Sequence, residues 1–205
     1  MLTVALPKGR IADETLEIFE TIFGREFKFE SRKLILEMGD FRFLLVRNQD
    51  VPTYVAHQAA DIGVVGLDVI EEQGLDIVRL LDLGIGRCRV AVGIRDEDEI
   101  DWNRPNMKVA SKMVNITRNY FSKKAMGVEV IKLYGSIELA PLVGLADAIV
   151  DIVETGTTMR ENGLKVAETI MESSAHLIAN KQSFLAKKGE IMELYTEMEK
   201  VVRGA

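Results

Sequence analysis

Short apolar runs alternate with amphipathic stretches along this chain. Two of the runs, Ile62-Gly63-Val64-Val65 and Ala148-Ile149-Val150, carry no polar side chain on either face. A strand of that kind needs a helical layer on both sides of its sheet. Strands are expected at 2–6, 34–38, 41–46, 61–66, 76–80, 87–94, 107–112, 128–134, 147–153 and 175–180. Helices are expected at 11–23, 51–60, 67–73, 115–126, 137–145, 160–173 and 184–202. The first helix sets Ala12, Leu16, Phe19 and Phe23 on one stripe, and the last does so with Ile191, Leu194, Tyr195, Met198, Val201 and Val202. Strands alternating with helices imply an α/β class with mainly parallel sheets.

The pattern occurs twice. Ala60-Asp61 opens one buried run, and its segment closes with Glu72-Gln73-Gly74-Leu75; Ala146-Asp147 opens the other, which closes with Glu161-Asn162-Gly163-Leu164. Asp147 follows Asp61 by 86 residues, whereas Leu164 follows Leu75 by 89. The second copy therefore carries three extra residues between strand and helix. Each copy is preceded by a helix with a proline near its start, Pro52 in one and Pro141 in the other, and Asp50 is placed to cap the former. Two related α/β lobes with a cleft between them follow from this repeat.

Charge and composition narrow the partners. A formal net charge of -6 argues against a broad nucleic-acid or membrane surface, although a few cations gathered in a cleft can still focus a field on a small polyanion. No apolar run reaches the ~18 residues of a membrane span. Met1–Pro7 reads as a strand without the basic start of a signal peptide, and the single cysteine, Cys88, offers neither a disulfide nor a metal-ligand spacing. These features favour the cytoplasm. His57 and His176 stand in unrelated contexts and read as ordinary residues.

The segment Asp151-Ile152-Val153-Glu154-Thr155-Gly156-Thr157-Thr158 ends a buried strand in acidic residues and a Thr/Gly loop before a helix. A helix start offers unpaired N–H groups that suit a phosphate. Gly156 permits close backbone approach, and Thr155, Thr157 and Thr158 add hydroxyl donors. Asp151 and Glu154 suit ribose hydroxyls or a share in holding Mg²⁺. The plainer reading is a capped strand–turn–helix with solvated acids. Lys8 and Arg10 flank Gly9 just after the first strand, where open α/β sheets bind ligands; paired cations there can grip a pyrophosphate or triphosphate, or form a simple charged turn. Arg47 follows another strand. Arg87 and Arg89 share one face of a strand start, an arrangement for which a structural salt bridge is the commoner explanation.

Taken together these segments resemble one family. Glu138–Met159, reading ELAPLVGLADAIVDIVETGTTM, matches the pattern of the ATP phosphoribosyltransferases, and LPKGR at 6–10, RNQDVP at 47–52, DLGIGRCR at 82–89 and NITRNYF at 115–121 resemble further landmarks in order. The resemblance implies a two-lobed, periplasmic-binding-protein-like α/β fold with a central cleft. Lobe one would hold 1–90 plus 181–205, and lobe two 91–180. It also implies transfer of the phosphoribosyl group of phosphoribosyl pyrophosphate to N1 of ATP, releasing pyrophosphate, with Mg²⁺ as cofactor. Under this reading Thr155–Thr158 cradle the 5′-phosphate, Glu138, Asp151 and Glu154 address ribose or magnesium, and Lys8, Arg10 and Arg47 face pyrophosphate or ATP phosphates. No covalent nucleophile is expected. The sequence reaches Ala205 without the family's C-terminal histidine-binding domain, which implies the short form and a regulatory partner resembling a histidyl-tRNA synthetase.

Overall fold

The computed structural model describes residues 1–204. It divides into two compact units, Met1–Gly86 together with the segment from Ser174 onward, and Arg87–Ser173. The chain runs β1 (Leu2–Pro7), α1 (Arg10–Phe23), β2 (Ile35–Met38), β3 (Phe41–Val46), a 3₁₀ turn (Asn48–Asp50), α2 (Val51–Ala56), β4 (Ile62–Gly66), α3 (Leu67–Gln73) and β5 (Val78–Asp82). The second unit then supplies β6 (Cys88–Arg95), β7 (Met107–Ser111), α4 (Val114–Lys123), β8 (Val128–Lys132), α5 (Leu139–Leu142), β9 (Ala148–Val153), α6 (Thr157–Glu161) and β10 (Leu164–Ser173). The chain returns to the first unit with β11 (Ala175–Ala179), α7 (Lys181–Ala186) and α8 (Lys188–Arg203).

Both sheets follow one plan. The first has the order β2-β3-β1-β4-β11-β5, and the second, read from its other edge, β8-β7-β9-β6-β10. In each, a parallel trio (β3-β1-β4 or β8-β7-β9) is followed by one antiparallel strand. That antiparallel strand, β11 or β6, in turn pairs with the strand that closes the repeat, β5 or β10. The repeat seen in the sequence is thus a repeat of topology. The three extra residues are equally concrete: β4 ends at Gly66 and α3 begins at Leu67, whereas Glu154, Thr155 and Gly156 separate β9 from α6.

Burial explains the runs that are apolar on both faces. All five residues of β4 are buried, as are Ala148, Ile149 and Val150 of β9. Gly63 has a packing reason, because a Cβ there would lie 2.9 Å from Val55 Cγ2 and 3.0 Å from Val51 Cγ1; its absence lets α2 rest on β4. On the other face α1 carries Phe19 into a cluster of rings, 5.1 Å from Phe41 and 5.0 Å from Phe43 between centroids. Burying each such ring contributes about 1.5–3 kcal/mol.

Several expectations need correction. The sheets are not mainly parallel: among the described residues four strand pairings are parallel and five antiparallel, because strands that return between the units or close a hairpin run against their neighbours. The stretch 160–173 is not a helix: α6 stops at Glu161, and Leu164–Ser173 is β10, paired antiparallel with β6. Register irregularities between Val166 and Glu168 and between Thr169 and Met171 break its alternation. The bulged sequence then places Leu164, Ala167 and Met171 at i, i+3 and i+7, which imitates a helix. The division expected at 90/91 and 180/181 falls at 86/87 and 173/174, since β11 pairs with β4 and β5 and so belongs to the first unit. Asp50 occupies the N-cap position of α2 but makes no side-chain capping bond. The terminal helix is also preceded by a separate one, α7, capped by Asn180, whose Oδ1 accepts from Gln182 N–H at 2.9 Å and Ser183 N–H at 3.0 Å. Among the described residues no helix is long and apolar enough to cross a membrane.

Candidate active site

In the second unit the site is built at the carboxyl end of β9. Gly156 sits at the N-cap of α6 with φ 77°, a left-handed backbone that glycine adopts without strain. The turn is held by its own side chains: Thr155 Oγ1 and Thr157 Oγ1 lie 3.0 Å apart. Arg160 reaches back, donating to the Thr155 carbonyl and to Thr157 Oγ1 at 3.1 Å each. A concavity of about 290 Å³ is lined by Glu138 and by Asp151 through Met159, so Glu138, Asp151, Glu154, Thr155, Gly156, Thr157 and Thr158 are brought together. Another hollow of similar size lies near Arg104 and Asp147, at the strand starts, and contains none of these residues.

The structure adds Lys112 to the residues that the sequence singles out. Lys112 follows β7, and β7 runs parallel to β9, with Ser111 opposite Val150. Ser111 Oγ donates to the Val150 carbonyl at 2.7 Å and accepts from Met113 N–H at 2.9 Å, which fixes the turn between them. Lys112 Nζ consequently lies 3.5 Å from Asp151 Oδ1. Burial pushes the Asp151 carboxyl above its ordinary range; Lys112 and the Ile152 N–H oppose this, while the negative charge of Glu138 adds to it. The signal that could have found Lys112 was its position at a strand end, the feature that singled out Lys8.

In the first unit Lys8, Arg10 and Arg47 follow the carboxyl ends of two adjacent strands, β1 and β3. β1 and β3 are parallel with Pro7 opposite Val46, so Lys8 and Arg47 leave the sheet side by side, and Lys8 N–H donates to the Val46 carbonyl at 2.9 Å. Gly9, φ 105°, turns the chain so that Arg10 is the first residue of α1. Arg10 Nε lies 3.5 Å from Glu14 Oε1, one helical turn on, with the arginine side of the pair exposed. The arrangement offers N–H groups and cations to an anion at the start of a 14-residue helix. His176 is buried with Nδ1 3.0 Å from the Ser174 carbonyl, an ordinary structural role, and Cys88 is partly exposed.

The concavity offers a metal ion carboxylate and hydroxyl oxygens. Among the described residues no group of three or more His, Cys, Asp or Glu side chains could hold a metal ion by itself. Asp151 and Glu154 offer carboxylates in the same concavity, a donor set that suits Mg²⁺ shared with substrate phosphates.

Comparison with known proteins bears on what this geometry does. The family model described as ATP phosphoribosyltransferase matches residues 47–200. The ATP phosphoribosyltransferase of Sulfurovum sp. (strain NBC37-1) is 75% identical over 202 residues, covering 98% of each chain. That of Campylobacter curvus (strain 525.92) is 67% identical over 202 residues, again 98% of each. A solved structure described as the ATP phosphoribosyl transferase (HisG:HisZ) complex from Thermotoga maritima superposes with a TM-score of 0.88 at 32% identity, covering 100% of both chains. The periplasmic aliphatic sulphonate binding protein SsuA from Escherichia coli shares the fold alone, with a TM-score of 0.61 at 12% identity over 99% of this chain and 70% of that one.

Proposed function

Because the chain belongs to the ATP phosphoribosyltransferase family, whose members join ATP to phosphoribosyl pyrophosphate at the first step of histidine biosynthesis, we propose that the Thr155–Thr158 turn is where it holds the 5′-phosphate of phosphoribosyl pyrophosphate. The observation that carries this is the left-handed Gly156 at the start of α6, inside a concavity whose other walls are Glu138, Asp151 and Glu154. Backbone N–H groups and hydroxyls meet the phosphate, and carboxylates receive the ribose hydroxyls. Lys8, Arg10 and Arg47 bind the pyrophosphate or the phosphates of ATP.

The reaction places negative charge on the departing pyrophosphate while the ribose gains cationic character. Orientation of two anionic substrates and stabilisation of that charge supply the catalysis, and no residue attacks covalently. Mg²⁺ would be held mainly by substrate phosphates, with Asp151 or Glu154 contributing a carboxylate, and would supply neutralisation of charge on the leaving group. The enzyme works in the cytoplasm in a hetero-oligomer with a regulatory subunit that resembles a histidyl-tRNA synthetase; support comes from the likeness to the Thermotoga maritima complex.

Pyrophosphate release, measured with each substrate omitted in turn and with and without a co-expressed regulatory subunit, tests the reading. Release is expected only with ATP, phosphoribosyl pyrophosphate and Mg²⁺ together, and it is expected to rise with the subunit. Binding of one substrate with no turnover under any of these conditions would favour a solute-binding role instead.

A further inference from the structure

β6 runs antiparallel to β9 and sets Arg89 opposite Val153, the residue just before the Glu154–Gly156 loop. Opposed residues share a sheet face, and the same pairing puts Ala91 opposite Asp151. Arg89 therefore lies on the face that carries Asp151, at the end of the sheet where the loop begins. Ala91 and Val153 on this face are buried with Met159 of α6, so α6 covers the neighbouring surface.

The guanidinium is unusual in having nothing to hold. Arg89 Nε is buried without a hydrogen-bond partner. Glu172 faces it across the β6–β10 pair, yet no carboxylate among the described residues forms an ion pair with it. The salt bridge expected for this arginine is absent, whereas Arg160 of α6 is engaged by Thr155 and Thr157. A guanidinium stays charged at any working pH, and a partly buried charge with no partner costs free energy in the unliganded protein. Such an arrangement is repaid when an anion arrives.

We propose that Arg89 binds a phosphoryl group of phosphoribosyl pyrophosphate beside the Thr155–Thr158 turn, using its free N–H fork. This rests on the assignment of that turn to the same substrate. Both the 5′-phosphate and the pyrophosphate of the substrate present the oxyanion that Arg89 recognises.

The test is calorimetry of Arg89→Gln, Arg89→Lys and, as a loop control, Thr157→Ala. Phosphoribosyl pyrophosphate, inorganic pyrophosphate and ribose 5-phosphate are titrated separately in the presence of Mg²⁺, and the melting temperature of each ligand-free variant is recorded. Arg89→Gln is expected to weaken phosphoribosyl pyrophosphate about 10- to 100-fold. Its ligand-free melting temperature should stay equal or rise, because an unpaired charge has been removed. Lysine should restore part of the affinity. A parallel loss for pyrophosphate assigns Arg89 to the leaving group, and a loss for ribose 5-phosphate assigns it to the 5′-phosphate. Unchanged phosphoribosyl pyrophosphate affinity in Arg89→Gln, with Thr157→Ala weakened, overturns the role of Arg89 alone. Unchanged affinity in both variants overturns the loop assignment as well. A lowered melting temperature together with equal losses for ATP and phosphoribosyl pyrophosphate would make Arg89 a structural residue and also overturn the proposal.

Discussion

Asp147 clasps the backbone of Lys108 from both sides: its Oδ2 accepts from the Lys108 N–H at 2.8 Å, and its own N–H donates to the Lys108 carbonyl at 2.8 Å. Asp61 treats Thr3 in the same way, at 2.8 and 2.9 Å. Each aspartate precedes a central buried strand and ties it to the start of its parallel neighbour. Each also meets a cation, Arg104 at 3.0 Å from Asp147 and Lys187 at 2.8 Å from Asp61. The Ala-Asp dipeptide that opens both copies of the repeat is therefore a fold determinant in both.

Replacing Asp61 with Asn is expected to lower stability by about 1.5–3 kcal/mol, the range for hydrogen bonds to a charged group. Burial raises the Asp61 carboxyl, but hydrogen bonds from Lys187, Thr3 and Ser183 outweigh it and leave the group below its ordinary value. Its contribution is thus present above the unfolded value, near pH 4, and is lost as pH falls through the lower folded value. Denaturant melts of the wild type and Asp61→Asn from pH 7 to pH 2.5 should converge at the acid end.

Asp151 has the opposite sign. Its raised folded value means that the protonated form is favoured by folding, and that stability is lost as pH rises through that value. Asp151→Asn should therefore melt higher than the wild type in the ligand-free state, with a gap that grows from pH 4 to pH 7. Turnover of the same variant should fall about 10- to 150-fold if the carboxylate receives substrate or shares Mg²⁺. Scanning calorimetry and steady-state kinetics on one preparation check both arms.

Arg10→Ala should separate function from stability in the other unit. The pair with Glu14 is exposed on the arginine side and contributes about 0–1 kcal/mol. A phosphate contact from the same group is worth roughly 10- to 150-fold in kcat/KM. Near-normal kinetics at sub-saturating concentrations of both substrates would remove Arg10 from the site.

Gly156→Val should weaken phosphoribosyl pyrophosphate while sparing ATP. The left-handed backbone costs a branched residue about 1–2 kcal/mol, and the new Cβ would lie 3.1 Å from Arg160 Nη1, so the turn that presents its N–H groups must shift. A modest fall in melting temperature accompanies this. Calorimetry with each substrate decides whether the second copy of the repeat is the one that holds phosphoribosyl pyrophosphate.

Much of this was legible in the residues because β4 and β9 are apolar on both faces, a pattern that only a covered strand explains. The Thr/Gly turn was legible because its chemistry is contiguous. Lys112 was not: its partner Asp151 is 39 residues away, and only the parallel pairing of β7 with β9 brings them together. β10 was hidden for a local reason, since two irregularities in one edge strand scramble a period of two. The unit boundary was misplaced because β11 has the same apolar character whichever sheet receives it; its partners, not its composition, decide.

The antiparallel placement of β11 also sets an order on synthesis. Among the described residues β5 pairs only with β11, so it has no place in its sheet until residues 175–179 have been made. The second unit has all five of its strands by Ser173. On a ribosome the inner segment of the chain can therefore complete its sheet first, and the outer unit, begun earliest, is the last to close.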